Sequence, residues 1–358
     1  MRAFVLKGPR QAGFIEVEEP QLESEYSAIL EPVAVSVCTS DVNTVYGTGS
    51  KKPEDLVLGH ECIARVVEIG TRVRDFQVGD IVAVPAITPD YRHPDTQEGN
   101  ERHAGRAFSA NALGRSISGV FARYFMIPDA DTTLARIPEG VDIESALMCV
   151  DVVTTGFTGA EAADIITGDT VVVIGIGAIG LMAVQAAALM GAARIIAFGQ
   201  RGACVEYARN HGASSVYSYR DIDIVARVME ETDGRGADAV ILCGGDDETF
   251  AKCIDMARYG IGRIVNLKLH AGDGSLQIPK FSSGRGMGGK TIKLELCKGG
   301  RRRIERLLDM VRYDRIHPSG LVTHKLHGFD KIPDALEMMR SKDDTLIKTM
   351  ITMEWANI

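Results

Sequence analysis

A chain of 358 residues exceeds one ordinary compact core and predicts two domains, and its 45% hydrophobic and 25% charged composition is that of a globular protein. A formal net charge of -8 gives nucleic acid or an anionic membrane surface no general attraction, which leaves small molecules and protein partners. Seven cysteines, odd in number and widely spread, argue against a disulfide framework and for a reducing cytoplasm. The opening MRAFVLKGPRQ has neither an adequate apolar core nor a small-residue cleavage site, so it is not read as a signal peptide.

From Met1 to about Asp151 the chain runs in short β-rich stretches, such as residues 28–37, 63–70 and 81–85, separated by Gly, Pro and Asp turns. This texture predicts an antiparallel, barrel-like domain. From about Thr154 strands alternate with helices, with strand candidates at 171–174, 194–198, 215–217, 237–242 and 263–267. Such alternation predicts an α/β, doubly wound parallel sheet. The charge-free stretch from Thr170 to Ala193 is long enough to cross a bilayer, but it opens as a β-branched run, breaks into glycines and resumes rich in alanine and leucine. That order predicts strand, turn and buried helix. After about Lys293 the pattern changes again, and the last residues are expected to return to the first domain. In the charge run KGGRRRIER (298–306), Ile304, Leu307, Leu308 and Val311 fall at helical spacing, which predicts an amphipathic helix rather than a phosphate-binding patch.

Gly175-Ile176-Gly177-Ala178-Ile179-Gly180 lies between the predicted strand and helix. There Gly175 allows the tight turn, Gly177 lets backbone approach a pyrophosphate, Gly180 lets helix and strand pack closely, and the helix N-terminus faces the phosphates. The second strand ends at Gly199, where an acid would hold the ribose of NAD; Gln200 and Arg201 follow, with Tyr219 at the end of the next strand. Without a carboxylate to repel a 2'-phosphate, and with an arginine fork to bind one, NADP(H) is favoured over NAD(H).

Cys38 follows a predicted strand, Gly59-His60-Glu61 precedes another, and Asp151 stands where the two textures meet. Cys, His and Asp are competent zinc ligands, and three of them leave a fourth position for substrate or water. Each also has a plain reading: a buried thiol, a satisfied core imidazole, a helix-capping carboxylate. The order of motifs, however, resembles the zinc-dependent medium-chain alcohol dehydrogenases, and among them the bacterial NADP-dependent secondary-alcohol enzymes. The resemblance rests on CTSD (38–41), GHE (59–61), GD (79–80), VPAITPD (84–90), GVF (119–121), DVVTTGFTGAE (151–161), IGIGAIGLMAV (174–184), KTIK (290–293) and LVTH (321–324). It implies a GroES-like catalytic domain at 1–152 and 294–358 and a Rossmann domain at 153–293. It makes Cys38, His60 and Asp151 the ligands of one catalytic zinc, Glu61 the acid that can approach the metal, and Ser40 the hydroxyl that takes the substrate proton, which a helix-capping role would not prevent. Gly199, Arg201 and Tyr219 match the 2'-phosphate site, with Gln200 in place of a usual serine. The expected partner is a small alcohol or carbonyl substrate, and the expected assembly is a homotetramer.

The sequence departs from this pattern at three places. The lobe from Asp90 to Ser118 lacks the cysteines of a structural zinc, an absence the secondary-alcohol group shares. Asn43 replaces the histidine that usually continues the proton relay, so the relay ends at water or the cofactor ribose, with Ser40 essential and Asn43 orienting it. In the substrate pocket, which takes in Ala86, Asn111 stands for a tryptophan and Leu269 for a tyrosine. These changes predict a pocket for a bulkier or hydroxylated secondary alcohol or ketone rather than propan-2-ol. The rival readings are a metal-free quinone or enone reductase and a non-catalytic NADPH-binding regulator.

Overall fold

The computed structural model describes residues 1–47, 55–270, 274–281 and 288–356. The chain divides into two units, Met1–Thr154 with Lys298–Ile358, and Thr155–Cys297. In the first unit β1 (Arg2–Gly8), β2 (Gln11–Glu16), β3 (Ala28–Ser36), β4 (Leu56–Val57), β5 (Glu61–Ile69), β6 (Ile81–Val84), β7 (Phe125–Ile127) and β8 (Ala135–Arg136) pair antiparallel throughout. Every residue of β3 is buried, as expected of a strand covered on both faces. Its register against β5 shifts between Pro32 and Ala34, where proline offers no N–H to the ladder. Phe4, Leu30, Leu58, Phe121 and Phe125 belong to one core, and side chains of this size each contribute roughly 1.5–3 kcal/mol when fully buried.

The second unit holds β9 (Thr170–Ile174), β10 (Arg194–Phe198), β11 (Ser215–Tyr217), β12 (Ala239–Leu242), β13 (Arg263–Asn266) and β14 (Thr291–Leu294). Their order, β11-β10-β9-β12-β13-β14, with parallel pairing throughout, is the doubly wound dinucleotide-binding arrangement. The stretch 170–193 resolves into β9 and a helix over Ala178–Leu189. Among the described residues no helix is long and apolar enough to cross a membrane. The sheet's final strand, β14, was not among the expected ones; its residues, exposed at both ends and half-buried between, lack the apolar run that marks β9 and β12.

The chain then returns to the first unit. A helix over Arg301–Arg312 buries Ile304, Leu307 and Leu308, while Arg301 pairs with Asp75 and Glu305 and Arg303 donates to Thr154 Oγ1 at 3.0 Å. The arginines are thus partly engaged in tying the unit together rather than only solvated. β15 (Val322–His327) runs parallel to β16 (Lys348–Thr352), and β16 lies antiparallel to β3, giving the order β15-β16-β3-β5-β6-β8 with β7 also on β3. No ladder among the described residues joins β8 to β15.

Candidate functional site

β3 and β5 are antiparallel neighbours with Ser36 opposite Glu61, so the segment leaving β3 and the segment entering β5 emerge side by side. The first carries Cys38, the second His60 and Glu61. Gly59 makes that entry possible. Its φ is +89°, and an added Cβ would lie 2.4 Å from the Phe121 ring. Gly59→Ala is therefore expected to cost about 2–4 kcal/mol in urea unfolding, through left-handed strain and overpacking. A cost near zero would show that the strand entry can shift.

Asp151 comes from a helix that starts at Ile143, capped by Asp142 accepting from the Ser145 N–H at 2.7 Å, and that widens into a π-helical turn over Cys149–Val153. Such turns carry an extra residue and often mark functional positions. The turn brings Asp151 to the other donors. One ligand atom each from Cys38, His60, Glu61 and Asp151 lies within 4.8 Å of all the others. Cys38 Sγ is 3.7 Å from Asp151 Oδ2, and His60 Nε2 is 3.9 Å from the same oxygen.

Two groups that sequence reasoning passed over complete the cluster. Asp41 binds the backbone N–H of Cys38 through Oδ2 at 2.9 Å and faces His60 Nδ1 through Oδ1 at 3.4 Å. It turns Nε2 toward the cluster, the arrangement by which a carboxylate orients a metal-binding imidazole. Its signal was available in the CTSD run, three residues after the cysteine, at the position that closes a capping box. Lys348, on β16, donates to Glu61 Oε1 at 2.7 Å and to the Val37 carbonyl at 3.0 Å. Nothing local in the sequence announces it.

Ser40 Oγ lies 3.3 Å from His60 Nε2. Cys38, not Ser40, occupies the N-cap of the helix Thr39–Tyr46, so the capping role considered for the serine is not the one it has. Asn43 is exposed and its side chain has no hydrogen-bond partner among the described residues, so it does not orient Ser40. Ala86, 2% exposed, is tied by its N–H to the Val150 carbonyl at 3.0 Å, next to the Asp151 turn. Asn111 is half-buried in a lobe joined to that segment by Thr88 N–H to Ala110 O at 2.7 Å. Leu269 lies in the second unit, after β13, and is 48% exposed.

The electrostatics of the cluster suit a dication. Burial raises the Cys38 thiol, with Asp151 adding to the effect, and burial together with the Glu61 charge pushes Asp151 up to about 6. Burial works against the charged forms of Glu61 and His60 too, but Lys348 holds the Glu61 carboxyl below its usual range, and Asp41 lifts His60 well above its own. Ionised, the thiolate and the carboxylates of Glu61 and Asp151 face the buried ammonium of Lys348, whose Nζ lies 2.6 Å from Glu61 Oε2. Soft sulfur, imidazole nitrogen and carboxylate oxygen are zinc donors, so the residues present fit that metal.

In the second unit the loop between β9 and its helix has the predicted form. Gly175 has φ +87°, and a Cβ there would meet the Gly244 nitrogen at 2.5 Å; at Gly180 it would meet the Gly175 carbonyl oxygen at 2.3 Å. Gly177 is the N-cap, and the Arg201 guanidinium lies 3.4 Å from where its Cβ would stand. Arg201 therefore reaches the helix N-terminus. A Cβ on Gly199 would fall 2.1 Å from Ile176 Cγ1, so this glycine also leaves room for the loop. Gln200 is half-buried and Tyr219 is 46% exposed.

A doubly wound nucleotide unit and a unit carrying a buried Cys, His, Glu and Asp group together define a metal-dependent dehydrogenase architecture. Residues 24–139 match the family model described as alcohol dehydrogenase GroES-like domain, and residues 178–311 the one described as zinc-binding dehydrogenase. The chain is 44% identical to the NADP-dependent isopropanol dehydrogenase of Clostridium beijerinckii, covering 99% of this chain and 100% of that one. To the enzyme of the same name from Thermoanaerobacter brockii it is 42% identical, again over 99% and 100%. Zinc dependent alcohol dehydrogenase 2 from Streptococcus pneumonia shares its fold with a TM-score of 0.88 at 24% identity, covering 100% of both chains. The chain belongs to the zinc-dependent medium-chain alcohol dehydrogenase family.

Proposed function

We propose that this protein transfers a hydride between NADP(H) and a secondary alcohol or ketone at a single zinc held by Cys38, His60 and Asp151, with Glu61 beside it. The observation that carries the reading is the buried donor group, all ligand atoms within 4.8 Å, in a chain 44% identical to an NADP-dependent isopropanol dehydrogenase. Zinc supplies Lewis acidity toward the substrate oxygen, and the nicotinamide supplies or accepts the hydride. Asp41 fixes the imidazole so that Nε2 serves the metal. The Ser40 hydroxyl, beside that nitrogen, takes the substrate proton during oxidation and returns it during reduction. Asn43 carries no titratable group, so the proton leaves Ser40 for water or the cofactor ribose. Gly175, Gly177 and Gly180 seat the pyrophosphate, and Gly199, Gln200, Arg201 and Tyr219 form the 2'-phosphate site. Ala86, Asn111 and Leu269 shape the substrate side, and asparagine and leucine there favour a larger or hydroxylated ketone over acetone. All seven cysteines are free thiols, which supports a reducing cytoplasm, and the family resemblance supports a homotetramer.

The test is a series of ketones, hydroxyketones and sugar-like carbonyls assayed with NADPH and NADH on metal-analysed protein, with its oligomeric state measured alongside. One zinc per chain, a higher kcat/KM with NADPH, and faster turnover of a bulky or hydroxylated ketone than of acetone are expected. Equal or better use of NADH would overturn the cofactor assignment. Fastest turnover of acetone would overturn the pocket assignment, and NADPH binding without turnover of any carbonyl would make the protein a regulator.

A further inference from the structure

Arg115 is a cation without a counter-charge. It is half-buried, and it makes no hydrogen bond or ion pair among the described residues; its guanidinium carbon stands 5.8 Å from the centre of the Phe108 ring. Other half-buried arginines of the same unit are answered by acids: Arg65 and Arg123 meet Glu31, and Arg301 meets Asp75 and Glu305. Burial holds Arg115 below the usual arginine range, and no carboxylate offsets it. A charge withdrawn from water is costly unless something supplies the opposite sign.

The residue stands on a turn that packs against the metal-ligand segment. A Cβ on the buried Gly114 would lie 3.1 Å from the Gly59 carbonyl oxygen and 3.2 Å from its nitrogen, and His60 follows Gly59 in the chain. Further along the same loop the Val120 N–H donates to the Gly59 carbonyl at 3.1 Å. Asn111, assigned above to the substrate side, donates its N–H to the Phe108 carbonyl at 3.1 Å. Phe108 itself holds φ +58°, an outlier for a bulky side chain, with its N–H donating to His103 Nδ1 at 3.0 Å and its ring 5.6 Å from the His103 ring. Strain of this kind persists where the surroundings over-determine it, and ligand clamps are among such places. Here it keeps the ring beside the guanidinium, in the lobe that carries Asn111.

We propose that Arg115 is a specificity-determining residue whose guanidinium binds an anionic group, carboxylate or phosphate, carried by the ketone or alcohol. This deepens the reaction of the preceding section and rests on it. An arginine fork meets either oxyanion with two parallel hydrogen bonds. The net charge of -8 gives an anionic substrate no general attraction, so a preference for one must come from a local cation.

The test uses the full, zinc-loaded chain with NADPH and two pairs of ketones that differ in charge: 4-oxopentanoate with 4-oxopentanamide, and hydroxyacetone phosphate with hydroxyacetone. In at least one pair the wild type is expected to prefer the anion at least about tenfold in kcat/KM, through a lower KM, which is the scale of one charge-assisted pair. The pair with the larger ratio identifies the anion. R115Q should bring that ratio to about one by raising the KM for the anion. R115K should keep part of the preference, and R115E should discriminate against the anion. A merely structural arginine would instead affect both members of a pair alike. A wild-type ratio near one in both pairs, or an R115Q ratio equal to that of the wild type, overturns the inference; an unchanged ratio with a changed oligomeric state would assign the guanidinium to a second copy of the chain. Should R115Q fail to fold, R115K carries the test: a smaller ratio than the wild type's supports the fork, and an equal one overturns it. If even the neutral ketones are not turned over, the reaction itself falls and this inference with it.

Discussion

Cys38→Ala is expected to empty the metal centre and to lower kcat/KM on the order of a thousandfold or more, since Lewis-acid stabilisation of the substrate oxygen is worth several kcal/mol. The fold should survive. Cys38 is largely buried, and the contact that fixes its segment, Asp41 Oδ2 accepting the residue-38 N–H at 2.9 Å, uses only backbone on that side. Loss of the thiolate leaves His60 and two buried carboxylates, a harder and weaker donor set. Metal content, circular dichroism and kcat/KM measured on one preparation separate a chemical loss from an unfolding one. Undisturbed turnover in this variant would place the protein with the metal-free quinone and enone reductases.

Ser40→Ala should keep its zinc and lose about 10²–10⁴-fold in kcat, the usual range for a positioned proton-transfer group. Asn43→Ala should stay near the wild-type rate, because Asn43 is exposed and makes no side-chain hydrogen bond among the described residues. The pair is more informative than either variant alone. If both lose the same rate, the asparagine belongs to the relay after all, through an arrangement that forms only with substrate bound. Metal analysis of Ser40→Ala guards the interpretation, since Ser40 Oγ is 3.3 Å from a nitrogen assigned to the metal.

Much of this was legible in the sequence where local rules act. β9 and β12 announce themselves as β-branched runs, and the glycines at 175 and 180 mark backbone approaches that a Cβ would obstruct. The donor group itself was reached through the order of motifs, because residues 38, 60 and 151 share no spacing that implies contact. What stayed hidden depends on long-range pairing. Lys348 is 287 residues from Glu61 and reads as an ordinary strand lysine until β16 is laid against β3. The parallel pairing of β15 and β16 is hidden for the same reason. Asp41 was visible but undervalued, since a carboxylate three residues after the cysteine reads first as a helix-start residue.

The π-helical turn at Cys149–Val153 makes the reaction depend on chain length at a single point. An α-helix advances about 100° per residue, so deleting one residue there would let the helix straighten and swing Asp151 roughly that far from Cys38 and His60. Every donor would remain in the sequence, yet the metal centre would be lost. A lineage could thus abandon the metal through one codon lost, and a relative with an intact set of ligand residues but a shorter run before its threonine pair should be suspected of having done so.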